Sequence, residues 1–397
     1  MKENLLGMSL QEMEKFFISM DEKTYRAKQV FQWIHQKGVS DFCEMTNLSK
    51  SLQAALDKKA EIKAPQIVYE KDSKDGTRKW VLNVGKGDLV EMVLIPEAKR
   101  ATLCVSSQVG CAVDCSFCAT GKQGFSRNLS TAEIIGQLWV AENSFGTPRS
   151  HEKKNVTNVV MMGMGEPLLN FDAVTKAMNL MMHQEAYGLS KRKVTLSTSG
   201  LVPMIDKLSD VTDAALTISL HAPNDVLRNE LVPINKKYSI EKLLDSVIRY
   251  VEKCGDQRKT TMEYILINKV NDSLENAKEL AKILRRIPSK INLIPFNPFP
   301  GSNYKRPSNM RVTAFKKVLQ KEGYITTVRT TRGEDIMAAC GQLVGQVNDR
   351  TKKKERLQRK EKQIATRLIS RTFQRFFETP FAIKQISCWY PQNIKNS

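Results

Sequence analysis

The chain has 397 residues, 41% hydrophobic and 26% charged, with a net charge of +20. That is enough chain for one large domain or two to three smaller ones. It holds no run of about 18 apolar residues, which excludes a membrane-spanning helix. So large a basic excess favours a polyanionic partner, most often nucleic acid, over a merely basic soluble protein. The opening "MKENLLGMSLQEMEKFF" is too charged for a signal peptide, so the protein is expected in the cytoplasm, where thiols stay reduced.

Residues 1–65 read as a small helical module. Ser9 and Glu12 form a capping-box pattern. "EKTYRAKQVFQWIHQKG" spaces Tyr25, Val30, Phe31 and Ile34 as one apolar face and ends at Gly38. Its other face carries Lys23, Arg26, Lys28 and Lys37, either as a phosphate-binding side or as a solvated helix surface. Residues 66–99 read as a short antiparallel meander, with a Lys-Asp-Gly and a Gly-Lys-Gly-Asp turn between β-rich runs and Pro96 closing it.

Residues 100–345 alternate. Strand-like runs such as "RATLCVSSQV", "NVTNVVMMGM", "KVTLSTSG" and "AALTISLHA" are separated by helical segments such as "STAEIIGQLWVAENS". This repeat implies an α/β fold with a parallel sheet, either doubly wound or a partly closed barrel. Both place chemistry at the carboxyl ends of the strands. Residues 346–397 break the pattern. "RTKKKERLQRKEK" is strongly basic and the rest has no clear period, so this tail is expected to be a charged helix followed by partly disordered chain.

Eight cysteines, Cys43, Cys104, Cys111, Cys115, Cys118, Cys254, Cys340 and Cys388, are too unevenly spread for a disulfide framework. "CAVDCSFC" sets Cys111, Cys115 and Cys118 in a C-x3-C-x2-C spacing. Structural zinc takes four ligands, usually as two close pairs, and there is no second pair. A three-cysteine [4Fe–4S] cluster, whose fourth iron stays free for a small molecule, suits the spacing better. Strand ends nearby carry Gly163, Gly165 and Glu166 in "VVMMGMGEP", then "STSG", "SLHAP" and "PFNPFPG". Glycines let backbone approach a ligand and a carboxylate can take an ammonium group, though each feature alone is weak. His221 by itself reads more readily as a hydrogen-bonded core histidine.

C-x3-C-x-aromatic-C resembles the signature of radical S-adenosylmethionine (SAM) enzymes. "ATLCVSSQVGC", "NVVMMGMGEPLLN", "ISLHAPND", "INLIPFNPFPG" and "AACGQL" further resemble the bacterial adenine-C2 methyltransferases of 23S ribosomal RNA and transfer RNA, over about residues 3–355. The resemblance implies a partial (β/α)6 barrel behind an RNA-binding helical module. It implies a [4Fe–4S] cluster on Cys111, Cys115 and Cys118, with SAM on the open iron, and SAM contacts at Gly165, Glu166, Ser197, Ser219, Leu220, His221 and Asn297.

The same resemblance implies that two SAM molecules are used per turnover. Cys340 is methylated first, its S-methyl group is delivered to C2 of a 23S rRNA or tRNA adenosine, Cys104 resolves the adduct as a disulfide, and Glu91 takes the C2 proton. An electron donor such as flavodoxin is expected, and the chain is expected to act as a monomer. On residues alone, Glu91 reads as an exposed strand glutamate, Cys104 as a buried strand cysteine and Cys340 as a small core residue in a helix. The nearest alternatives are a C8 methyltransferase of the same subfamily and a non-catalytic Fe–S RNA-binding protein. Family members usually end soon after the basic run, and the longer tail here is expected to be dispensable.

Overall fold

The computed structural model describes residues 2–146, 154–255 and 259–345. The tail at 346–397, and Cys388 with it, lies outside them.

The chain opens with β1 (Glu3–Asn4), α1 (Leu10–Ile18), α2 (Thr24–His35), α3 (Lys50–Lys59) and β2 (Ala60–Glu61). β1 pairs in parallel with β2, which ties the two ends of the module together. α1 starts on the capping box: the Glu12 carboxylate accepts from the Ser9 N–H at 2.8 Å and the Ser9 hydroxyl from the Glu12 N–H at 3.3 Å. α2 buries Ala27, Val30, Phe31 and Ile34. Tyr25 does not share that face. A 3.6-residue turn puts it on the opposite side, where it is exposed with Arg26 over its ring at 4.8 Å.

The meander is β3 (Gln66–Asp72), β4 (Arg78–Asn83) and β5 (Leu89–Glu97), so Pro96 lies inside the last strand and does not close it. It continues the main sheet, because β5 pairs antiparallel with β6 (Arg100–Cys104). Then come β7 (Gln108–Gly110), α4 (Ala119–Gln123), β8 (Phe125–Asn128), α5 (Thr131–Asn143), β9 (Asn158–Met161), α6 (Phe171–Met182) and β10 (Val194–Thr198). The remainder is α7 (Val202–Val211), β11 (Ala215–Ser219), α8 (Asp225–Leu231), α9 (Ile240–Cys254), β12 (Thr260–Leu266), α10 (Leu274–Leu284), β13 (Ser289–Pro295), α11 (Asn309–Lys321) and β14 (Thr326–Val328).

Among the described residues ten strands form one sheet in the order β14-β13-β12-β11-β10-β9-β6-β5-β4-β3. From β6 to β14 every pairing is parallel and the order never reverses. A doubly wound sheet reverses at a switch point, so this one is wound in a single sense, as a barrel is. β6 and β14 are not paired with each other, so the barrel is partial. Period-two alternation divides its strands. Leu103, Val159, Leu196, Met262 and Leu293 are buried in the hydrophobic core. Their neighbours Thr102, Cys104, Val160, Thr195, Glu263 and Asn292 line a cavity of about 910 Å³.

The helical module is seated on this barrel. Trp139 of α5 donates to the Ile34 carbonyl at 3.1 Å, Asn143 to Gly38 at 3.1 Å, and Gln32 to Glu185 at 2.6 Å. Gly7 packs so closely on α5 that a Cβ there would lie 2.7 Å from the Ala132 backbone nitrogen. Gly7→Ala is expected to lower stability by about 1–3 kcal/mol, as overpacking does. Urea unfolding checks this, and an unchanged midpoint would contradict it.

Candidate active site

The three-cysteine loop does not follow β6 directly. The first strand of the β7–β8 hairpin comes first, and residues 111–118 run from β7 to α4. The loop is tied at both ends: Cys111 N–H donates to the Gly124 carbonyl at 2.7 Å and Cys118 N–H to Cys115 at 3.2 Å. In its middle, Ser116 N–H donates to Leu231 at 3.1 Å and the Ser116 hydroxyl receives Tyr304 at 3.0 Å. Phe117 packs edge-on against His221, 4.8 Å between ring centres.

Burial pushes the Cys111 thiol up to about 12 and the Cys115 thiol well above its usual range, and each is raised further by its neighbouring thiols. Buried thiols that oppose one another's ionisation become thiolates only when a cationic group shares the site. Among the described residues no three His, Cys, Asp or Glu side chains are placed to share one metal ion. A four-iron cluster takes each thiolate on a separate iron, so this donor set suits it and not a mononuclear zinc.

The strand ends converge beside this loop. Glu166 follows β9 and is fully engaged. Its carboxylate accepts from the Thr198 hydroxyl at 2.7 Å, the Ser199 N–H at 2.8 Å and hydroxyl at 2.7 Å, and the Leu168 N–H at 3.1 Å. It therefore orders the ends of β9 and β10 besides offering charge. Gly165 has a φ of +100° and Gly163 lies where a Cβ would be 2.7 Å from the Val105 carbonyl, so these glycines let the β9 end pack on residues 105–108. Ser197 and Ser219 face each other at 3.4 Å. Leu220 and His221 both donate backbone N–H groups to Glu263. His221 Nδ1 accepts from the Ile265 N–H at 3.1 Å, and burial holds the ring neutral, with its pKa down at about 3.

Arg228, which nothing in the sequence pattern marks, joins these ends. Its guanidinium is fully buried and donates to the carbonyls of Ser199 at 2.6 Å, Leu220 at 2.9 Å and Ser219 at 3.2 Å, and to Asn235 at 2.8 Å. Burial pulls its pKa down to about 10, which leaves it charged at neutral pH.

Cys340 lies in no helix but in a strap, residues 333–345, laid across the barrel mouth. Asn297 donates to the Cys340 carbonyl at 3.2 Å. On the cluster-loop side, Ala119 N–H donates to Gly341 at 2.8 Å and Thr120 to Leu343 at 2.7 Å. Cys104 and Cys340 line the same cavity, together with Arg329 and Glu263. Burial raises both thiols, Cys104 to about 12; Cys340 adds to the rise at Cys104, and Arg329 opposes it at both. Glu91 is not an exposed strand residue: it is 4% exposed, takes Lys79 Nζ at 3.1 Å and accepts the Val344 N–H at 3.0 Å. Burial raises its pKa and Lys79 opposes the rise. The sequence reading missed Lys79, Arg228, Glu263 and Arg329.

A singly wound partial barrel with three thiols on a loop at its mouth and strand-end acceptors around them defines a radical SAM enzyme. Residues 105–281 match the radical SAM superfamily, and residues 3–62 match the ribosomal RNA large subunit methyltransferase N-terminal domain. A crystal structure of a radical SAM methyltransferase from Sphaerobacter thermophilus superposes with a TM-score of 0.80 at 42% identity, covering 86% of this chain and 99% of that one. The dual-specificity RNA methyltransferase RlmN of Saccharophagus degradans is 62% identical over 356 residues, 89% of each chain. That of Marinobacter nauticus is 59% identical over 355 residues, 89% of this chain and 96% of its own.

The chain belongs to the RlmN family of dual-specificity radical SAM RNA methyltransferases, which work with a [4Fe–4S] cluster and SAM. No helix among the described residues is long and apolar enough to cross a membrane.

Arg228→Met leaves several buried acceptors without a donor. It is expected to cost about 3 kcal/mol or more and to weaken SAM binding at least tenfold. Thermal unfolding and calorimetric SAM titration check it; native values for both would contradict it.

Proposed function

We propose that this protein methylates C2 of an adenosine in the peptidyl transferase centre of 23S rRNA and of the adenosine 3′ of the anticodon in tRNA. The observation that carries this reading is that Cys104 and Cys340, far apart in sequence, line one cavity inside the barrel, together with Glu263, Asn297 and Arg329. Adenine C2 lies between two ring nitrogens and is electron-poor, so direct transfer of a methyl cation to it fails. A protein sulfur that carries the methyl carbon avoids that problem.

Cys111, Cys115 and Cys118 hold the cluster in this reading, and Gly165, Glu166, Ser197, Ser219, Leu220, His221 and Asn297 hold SAM. When bound, these groups supply a 5′-deoxyadenosyl radical, and a second SAM supplies the methyl group. Cys340 carries the transferred carbon on Sγ. Glu91 takes the proton that C2 gives up. The Cys104 thiolate then attacks Cys340 Sγ; the Sγ–carbon bond breaks, its electron pair stays on the carbon attached to C2 and takes up a proton, which frees the methylated base and leaves a disulfide for a thiol reductant to reopen. Burial keeps water from these groups, and Arg329 favours the thiolate form of both cysteines.

Arg100, Arg192, Lys259 and Lys290 line the same cavity. With the basic side of the helical module they supply phosphate contacts, and the target base is turned out of its stack into the cavity. The enzyme works in the cytoplasm as a monomer, with an electron donor of the flavodoxin kind.

Mass spectrometry of digested 23S rRNA and tRNA after reaction with reconstituted enzyme tests this. 2-Methyladenosine is expected. 8-Methyladenosine would establish the C8 reaction instead, and failure to form 5′-deoxyadenosine under reducing conditions would indicate a non-catalytic Fe–S RNA-binding protein. Cys104→Ala is expected to acquire S-methyl-Cys340 yet accumulate a covalent protein–RNA adduct, visible as a shifted gel band. Normal turnover of that variant would overturn the role of Cys104.

A further inference from the structure

We propose that Lys79 is a positioning residue of the reaction, holding the proton acceptor Glu91 ionised and joining it to the strap that carries Cys340. The inference rests on the reading of Glu91 given above. Lys79 stands opposite Val93 in the β4–β5 ladder, and Glu91 opposite Val81, so the two are diagonal neighbours on one face of the sheet. Cys104 of β6 stands opposite Val93 on the other side of β5 and so shares that face. Both Lys79 and Cys104 therefore project from the side of the sheet on which the cavity and the strap lie.

A buried lysine is costly unless every donor finds a use. Lys79 is 7% exposed and spends its ammonium on two acceptors: the Glu91 carboxylate at 3.1 Å and the Met337 carbonyl at 3.4 Å. Met337 lies just ahead of Cys340, in a left-handed turn of φ +53°. Glu91 reaches the strap again beyond Cys340, through the Val344 N–H at 3.0 Å. Lys79 and Glu91 together therefore grip the strap on both sides of Cys340.

The groups at the Glu91 carboxylate are Lys79 from β4 and the Val344 N–H from the strap. Among these Lys79 is the one fixed positive charge. In the proposed step the C2 proton passes to a Glu91 oxygen, giving a neutral carboxylic acid, while Lys79 stays an ammonium. A base acts deprotonated, so the rate rises with pH through its pKa. Burial pushes that pKa up and Lys79 holds it down, so loss of the ammonium moves the acid limb of the rate profile to higher pH.

The experiment compares Lys79→Gln, which keeps a donor but loses the charge, with Lys79→Arg, which keeps the charge. The full-length enzyme is reconstituted with its cluster, and 2-methyladenosine formation is followed across pH. Cys340 S-methylation, which needs no C2 proton, is read in parallel by intact-protein mass spectrometry. Lys79→Gln is expected to retain Cys340 methylation, and its acid limb to move up by at least about one pH unit, a tenfold loss at a fixed pH on the limb. Lys79→Arg is expected to keep the wild-type limb.

An unmoved limb in Lys79→Gln, a limb in Lys79→Arg shifted as far as in Lys79→Gln, or loss of Cys340 methylation in folded Lys79→Gln would each overturn the proposal. Should Lys79→Gln fail to fold, the limb of Lys79→Arg decides alone, unshifted in favour and shifted against. The wild-type product reports on the proposed C2 reaction, whereas differences between variants and wild type report on Lys79 and its action on Glu91.

Discussion

Ala119 N–H donates to the Gly341 carbonyl at 2.8 Å, and the Glu91 carboxylate accepts from Val344 N–H at 3.0 Å. Both bonds lie just beyond Cys340 in the strap, one made by α4 next to the cluster loop and the other by the meander. Asn297 adds a third side at the Cys340 carbonyl, 3.2 Å. The strap has one helical turn, Glu334–Ile336, and a few bonds of its own, which leaves the backbone groups of Gly341, Leu343 and Val344 to find partners elsewhere. They find them in α4 and the meander, so the position of Cys340 is set by elements next to the groups to which the proposed reaction assigns roles.

Electrostatics follow from that arrangement. Cys104, Cys340, Glu91 and Glu263 are all drawn into a poorly solvated space, and burial raises the pKa of each. Two cations offset this, and they act on different groups: Lys79 on Glu91, and Arg329 on the thiols and Glu263. Arg329 lies 3.6 Å from Glu263, so its charge is shared between a carboxylate and the thiols. In the proposed reaction, proton acceptance by Glu91 and nucleophilicity of the sulfurs are thereby tuned by separate residues.

Much of the fold was legible in the sequence because it rests on local rules. The Ser9–Glu12 capping box sits where its residues stand in the chain, and the strand–helix alternation gives the parallel sheet. That the sheet winds one way required strand order, which periodicity does not contain. The strand-end features converge because carboxyl ends of parallel strands share one mouth. Long-range burial was the illegible part. Arg228 lies in "NDVLRNEL" among other polar residues, and only the packing of the β10 and β11 ends around it shows that its charge is inside. Lys79 sits in "TRKWVLN" beside Arg78, which pairs with Asp72 at 2.6 Å in an exposed position. Register alone separates the inward cation from the outward one.

The central claim is that the strap holds Cys340 within reach of Cys104 in one cavity. Mild oxidation of the cluster-loaded enzyme without RNA, followed by proteolysis and disulfide mapping, tests it most directly. The account predicts a Cys104–Cys340 link as the major product. Cys340 recovered linked to Cys111, Cys115 or Cys118, or free while Cys104 is linked elsewhere, would contradict it.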